Sequence, residues 1–193
     1  MQVITWDQFL KTGLASTIKQ KKTSMTVGVF DGVHLGHQAL IKQVVSHNSD
    51  YAPVVVTFKQ NHKIKKTENK NNQKEILTFR QKIKKLKKLE IQIIIVIDFT
   101  EEFKKMPGIE FLKLLSVHGN VGFFTVGSNF RCGYKLDTDA EKIKSFFALK
   151  NIPVEIIPEV TQDSVPVSSS RIRAAIAEGN LPLAGKMLGN KSL

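Results

Sequence analysis

The chain is poor in thiols, in long apolar runs and in acidic residues, and each shortage removes a class of function. Cys132 is the only cysteine among 193 residues, so it has no partner for an internal disulfide and cannot by itself build a thiolate metal site. The longest uninterrupted apolar run, Ile93 to Ile97, covers five residues. That is far below the roughly 18 needed to span a membrane, so it reads as a buried strand and no membrane partner is expected. Met1 to Lys11 contains Trp6, Asp7 and Lys11 but no apolar stretch of signal-peptide length, and a cytoplasmic setting is expected. Asp and Glu number 17 against 29 Lys and Arg, for a net charge of +12. The excess is local. From Lys59 to Glu90 there are twelve Lys or Arg against three Glu, mostly Lys, with only Phe58 and Phe79 available for base stacking. A solvated basic face is expected there rather than a nucleic-acid partner.

What is present is enough for one full core, with 41% hydrophobic residues. Continuous β-branched runs at Met25 to Phe30, Pro53 to Phe58, Ile91 to Ile97, Val121 to Val126 and Val154 to Pro158 predict buried parallel strands. Helical spacing separates them, at Gln38 to His47, Thr78 to Leu89, Ile109 to Val117 and Ala140 to Leu149. In the second of these, Ile76, Phe79, Ile83 and Leu86 form the apolar stripe, Thr78 and Gln81 fit a capping box, and the lysines are assigned to the opposite face. Such alternation predicts an α/β fold, a doubly wound Rossmann-like parallel sheet of about five strands with its ligand at the carboxyl ends of the strands. Ser168 to Ala177 and Pro182 to Leu188 read as two closing helices. Residues 59–74 are polar and aperiodic and are expected to be a mobile loop. Gly179 to Lys186 is no Walker motif, because the glycine spacing is wrong and Met187 replaces the metal-binding Ser or Thr.

The chemistry concentrates at Gly28-Val29-Phe30-Asp31-Gly32-Val33-His34-Leu35-Gly36-His37, where the first strand gives way to a helix. The glycines allow close backbone approach, the helix start offers free N–H groups and a positive dipole end, and two imidazoles lie beside them. A triphosphate fits this set. Two histidines three apart could also ligate zinc, but no further ligands are spaced nearby and no metal site is assigned. Ser168-Ser169-Ser170 before a helix reads on its own as a helix cap, and beside the histidine motif as a phosphate site.

The first of these segments resembles the nucleotide-binding motif of the bacterial FAD synthetase family, within the wider His-x-Gly-His nucleotidyltransferases. Val54 to Phe58, Leu77-Thr78, Phe99 to Phe103, Val126 to Gly133 and Val167 to Arg173 are similar to later family segments in the same order. The resemblance covers Met25 to Gly189 and implies one FMN adenylyltransferase domain over 1–189 with a tail at 190–193. It implies that AMP passes from ATP to FMN, giving FAD and pyrophosphate, with Mg2+ accompanying ATP and no protein cage for it. His34 and His37 would be catalytic, with Arg171. Gly28, Val29, Phe30, Asp31, Gly32, Gly36 and Asn129 would shape the ATP cradle, and Ser169, Ser170 and Arg171 would hold phosphate from the opposite side. Thr57, Phe58, Asn129 and Phe130 would receive the flavin. No covalent nucleophile is expected, because nucleotidyl transfer depends on alignment and charge neutralisation.

Two departures from the family pattern stand out. Cys132 occupies a usually aromatic position and reads as a small buried hydrophobe. Thr57-Phe58-Lys59-Gln60-Asn61-His62 lacks both prolines of the Thr-Phe-x-Pro-His-Pro pattern, and its histidine sits one place later. A sister transferase with another phosphate acceptor therefore remains open, as does a basic nucleic-acid-binding protein. A riboflavin kinase module is not expected before Leu193.

Overall fold

The computed structural model describes residues 1–18, 22–59 and 75–190. In chain order its elements are β1 (Gln2–Thr5), α1 (Trp6–Thr12), β2 (Lys22–Val27), α2 (Leu35–Ser46), β3 (Tyr51–Lys59), α3 (Phe79–Lys88), β4 (Ile93–Asp98), α4 (Gly108–His118) and β5 (Val121–Gly127). There follow β6 (Arg131–Cys132), β7 (Thr138–Asp139), α5 (Ala140–Ala148), β8 (Val154–Ile157), β9 (Thr161–Gln162), β10 (Val165–Pro166), α6 (Ser169–Ala177) and α7 (Leu181–Met187). Six strands make one sheet in the order β1-β4-β3-β2-β5-β8, every neighbouring pair parallel.

Side chains alternate across that sheet with the period of two that a strand imposes. Val54, Val56, Ile93, Ile95 and Ile97 face one layer with Phe9, Phe111, Leu115 and Phe147 from α1, α4 and α5. Val55, Ile94 and Val96 face the other with Ile41 and Val44 of α2 and Leu86 of α3. Helices on both faces explain why the strand sequences are apolar throughout rather than alternating. A smaller cluster of Val167, Ile172, Ala175, Ala184 and Met187 joins α6 to α7, as expected of closing helices. Helix starts are fixed locally by capping boxes at Thr5 with Gln8 and Thr78 with Gln81, and by single caps at Asp139, Ser168 and Asn180.

The chain steps outward from β2 through β3 to β4, then returns to lay β5 on the other side of β2. The carboxyl ends of β2 and β5 therefore part at a topological switch point, where such sheets bind ligands.

The parallel sheet of about five strands is found and carries a sixth, β1, which was not foreseen: only Ile4 of its four residues is buried, leaving no apolar run to detect. Two expectations are corrected. The strand foreseen at Met25 to Phe30 is β2 and ends at Val27, since Phe30 and Val33 take φ of 53° and 44°. The lysines of α3 do not all face solvent, as Lys82 is 7% exposed. The foreseen loop at 59–74 lies, beyond Lys59, outside the described residues, as does the foreseen tail beyond Asn190.

The β1–α1 unit is locked to the core by the only tryptophan. Trp6 is buried, with Phe9 and Phe111 centroids at 5.2 and 5.7 Å and the edge of Phe103 at 6.0 Å. Trp6→Ala is expected to lower the unfolding free energy by about 3 kcal/mol, read by urea denaturation followed by circular dichroism. A loss below about 1 kcal/mol would show that this edge is not part of the cooperative core.

Candidate active site

A cleft of about 380 Å³ opens at the switch point. Its walls come from Val27 to Phe30 with His34, Gly36 and His37, from Gly127 to Arg131 beyond β5, and from Val167 to Ser169 at the start of α6. The N-terminal ends of α2 and α6 thus both border one cavity, presenting unpaired N–H groups and the positive ends of two helix dipoles to whatever occupies it. Of the residues singled out for ATP, Gly28, Val29, Phe30, His34, Gly36, His37, Asn129 and Ser169 line the cleft. Asn129 also donates to Glu159 at 2.8 Å.

His34 is the N-cap of α2: its Nδ1 accepts the N–H of His37 at 3.4 Å. A neutral His34 therefore carries its proton on Nε2 and can donate from that atom. The rings of His34 and His37 stack at 3.6 Å with 21° between planes, and the Phe30 ring lies against His37 at 5.1 Å. Gly36 permits this stack, because a Cβ there would sit 3.2 Å from the His34 ring. Burial pushes the His34 pKa down to about 4, against an opposing pull from Asp31 and with a further push from Lys85. Burial also drives His37 well below the usual range, with His34, Lys82 and Lys85 adding to it. At neutral pH both imidazoles are uncharged donors rather than cations.

Asp31 and Gly32 do not line the cleft; they anchor the loop. Asp31 Oδ1 accepts the N–H groups of Ile76 and Leu77 at 3.0 and 3.4 Å, and its Oδ2 pairs with Arg173 at 2.7 Å. Ser169 Oγ donates to the Asp31 carbonyl at 3.0 Å. Gly32, at φ 80°, carries the turn where a side chain would also crowd Ile76 and Leu188. Lys85 donates to the carbonyls of Gly32 and Leu188, and Gln38 to those of Val33 and Leu188.

Arg171, expected to hold phosphate, turns away instead: its Nη1 donates to the carbonyls of Gln162 and Val165 at 3.0 and 2.8 Å, bracing the β9–β10 hairpin. Arg173 is the α6 arginine that faces the loop, and its Nε is buried without a hydrogen-bond partner among the described residues. Ser170 is exposed, and its Oγ accepts from Arg173.

The flavin candidates divide. Asn129 and Phe130 line the main cleft, whereas Phe58 lines a second cavity of about 170 Å³ with Asp31, Leu77, Phe79 and Lys82. Val29 borders both. Thr57 is fully buried and donates to the Val29 carbonyl at 3.1 Å. Cys132 is inert, its thiol pushed up to about 12 by burial and then by Asp137.

Sequence reasoning missed Lys82, Lys85 and Arg173. A signal existed for Lys82, which stands three residues after Phe79 and four before Leu86 and so lies on the apolar stripe itself.

Fold and site together define a doubly wound, Rossmann-like α/β protein with its cleft at the switch point of the sheet. The FAD synthetase family model matches residues 16–171, and the chain belongs to that family. It is 31% identical over 171 residues to the bifunctional riboflavin kinase/FMN adenylyltransferase of Buchnera aphidicola subsp. Schizaphis graminum, covering 86% of this chain and 54% of the relative. It is 26% identical over 178 residues to the FAD synthetase of Listeria monocytogenes, covering 92% and 72% respectively. The chain spans about half the length of the bifunctional relatives. A solved structure described as a macrolide-efflux protein from Streptococcus pneumoniae superposes with a TM-score of 0.79 at 28% identity, over 97% of this chain and 60% of that one. Pantothenate synthetase from Thermus thermophilus shares the fold, with a TM-score of 0.53 at 10% identity over 97% and 82%. Among the described residues no helix is long and apolar enough to cross a membrane.

The buried histidines set an acid response. The unfolded chain takes a proton at each near the ordinary value of 6.5, while folded His34 refuses one until about 4. With the unfolded state binding more protons, stability must fall as pH drops from about 6.5 toward 4. His37 acts in the same direction. Urea denaturation of the ligand-free protein at pH 7 and 4.5 should show this loss, and His34→Gln should make the difference smaller. An unchanged difference would mean that His34 is protonated in the fold.

Proposed function

We propose that this chain transfers the adenylyl group of ATP to FMN, giving FAD and pyrophosphate. The observation that supports it most is the convergence of two helix N-termini and two stacked, uncharged histidines on one cleft in a member of the FAD synthetase family. A phosphate oxygen of FMN attacks the α-phosphorus of ATP, the bond from that phosphorus to the bridging oxygen breaks, and the electron pair leaves with pyrophosphate. Little covalent work falls to the protein; it must align the two phosphates and stabilise the charge that builds on them. His34, donating from Nε2, and His37 would meet the triphosphate from the α2 side. Ser169 and the start of α6 would meet it from the other, with Arg173 supplying a cation behind the loop. In this reading Arg171 shapes the hairpin at the mouth of the cleft.

Mg2+ enters as a companion of ATP. Among the described residues no group of three or more His, Cys, Asp or Glu could hold a metal ion, and Asp31 is already committed to Arg173 and two amides. The ion would therefore be carried on phosphate oxygens. The Phe58 cavity, walled from the ATP cleft by Val29, suits an aromatic acceptor. A cytoplasmic location, where ATP is supplied, belongs to the same reading.

Pyrophosphate release measured with ATP and a panel of acceptors tests the proposal: FMN should support turnover, while nicotinate mononucleotide and phosphopantetheine should not. Turnover with one of the latter and none with FMN would identify a sister transferase instead. Chelation of Mg2+ should abolish the FMN reaction. His34→Ala and His37→Ala should each lower kcat about 100-fold or more with an ordinary far-ultraviolet dichroism spectrum. Full activity in either folded variant would remove that histidine from the mechanism.

A further inference from the structure

Lys82 is a buried cation that stands outside the main cleft, on the wall of the Phe58 cavity. Its ammonium, one turn into α3, donates to the carbonyls of Val29 and Phe58 at 3.0 and 2.8 Å and lies 3.2 Å from Thr57 Oγ1. Three donors meet three acceptors, so the group has none to spare. Two of those contacts converge on one peptide: the Val29 carbonyl receives both Lys82 at 3.0 Å and Thr57 at 3.1 Å. Neither Lys82 nor Thr57 lines the ATP cleft, whereas Val29 and Phe30 do.

The consequence follows from peptide planarity. The peptide is trans, so the Val29 carbonyl and the Phe30 N–H point in opposite directions. With the carbonyl held by Lys82, the N–H points the opposite way from it, on a residue that lines the cleft, and no hydrogen-bond partner for it occurs among the described residues. Phe30 holds φ at 53°, a conformation that a non-glycine residue keeps only when its surroundings enforce it.

We propose that Lys82 is a positioning residue: by gripping the Val29 carbonyl from behind, it aims the Phe30 amide at the phosphates of a nucleotide in the cleft. Because Lys82 also holds the Phe58 carbonyl at the end of β3, the same ammonium fixes the ATP loop relative to the cavity that borders it. This role rests on the nucleotide-binding part of the proposed function but not on FMN being the acceptor.

The test follows the Phe30 backbone amide in 15N-labelled protein during titration with a non-hydrolysable ATP analogue and Mg2+, with affinity measured by calorimetry. In the parent chain the amide should move strongly downfield as it bonds an anionic oxygen. In Lys82→Met, which keeps the length of the side chain and removes its charge, that movement should be lost and the analogue should bind about tenfold more weakly. Thr57→Val, which deletes the other donor to the Val29 carbonyl, should give a smaller loss of the same kind and carries the test if Lys82→Met does not fold. A merely structural lysine would lower the melting temperature and leave the bound-state shift of Phe30 unchanged; that result in either folded variant overturns the proposal. A parent chain that takes up no analogue overturns the nucleotide reading itself, and this role with it. Normal uptake without Phe30 movement overturns the role of Lys82 alone.

Discussion

The site depends on one carboxylate. Asp31 sits in the middle of a loop whose backbone is held in costly conformations at Phe30 and Val33, each worth on the order of 1 kcal/mol against the fold. Such a loop persists only if it is pinned on several sides, and Asp31 supplies more of the pins than any other residue. Its two oxygens take the amides that precede α3 and the guanidinium of Arg173 on α6, while its carbonyl takes Ser169. The helix that carries the basic surface and the helix pair that closes the chain are thereby joined through a single side chain. A buried ion pair is weak evidence for net stability, because desolvation offsets much of the attraction. Its value here is specificity: it fixes one loop conformation among many.

The same burial that makes Asp31 effective keeps the histidines uncharged. Three cations, Lys82, Lys85 and Arg173, approach the loop from beneath, all bonded to its oxygen atoms. The loss of solvent opposes protonation of both histidines, with Lys85 adding to it at His34 against the pull of Asp31, and with His34, Lys82 and Lys85 adding to it at His37. Positive charge is thus placed behind the cleft and neutral donors at its surface. An incoming triphosphate would meet dipoles already oriented for it, without a cation at contact distance to grip the product as firmly as the substrate.

How far the sequence foretold this varies with the physics involved. Interior strands were legible because burial on both faces leaves an unbroken apolar signature, as at Ile93 to Ile97. Edge strand β1 was not, having one buried residue. The glycine and histidine spacing announced a phosphate cradle, and Gly28, His34, Gly36 and His37 line the cleft, whereas Gly32 does not. Roles that depend on direction were not legible: Arg171 and Arg173 differ by two positions, which on a helix is more than half a turn, and only the fold decides which faces the loop. Lys82 was assigned to solvent because lysine usually belongs there, although its place on the stripe of Phe79 and Leu86 was visible. The flavin candidates divide for a related reason. Phe58 lies near the end of β3 and Phe130 just after β5, and those strands lie on opposite sides of β2, so the two rings border different cavities.

That division explains the separate demands on the two halves of the site. The walls of the main cleft all fall between residues 27 and 169, inside the span 16–171 matched by the family. The fasteners lie partly beyond it: Arg173 follows immediately, and the Leu188 carbonyl that receives Lys85 and Gln38 comes from the end of α7. Walls must present fixed atoms to a fixed ligand, which constrains both residue type and spacing. Fasteners need only bring a donor to a backbone carbonyl or a carboxylate, a requirement that many side chains at several positions can meet. A wall can therefore be read from local sequence, whereas a fastener becomes readable only after the distant element that carries it has been placed.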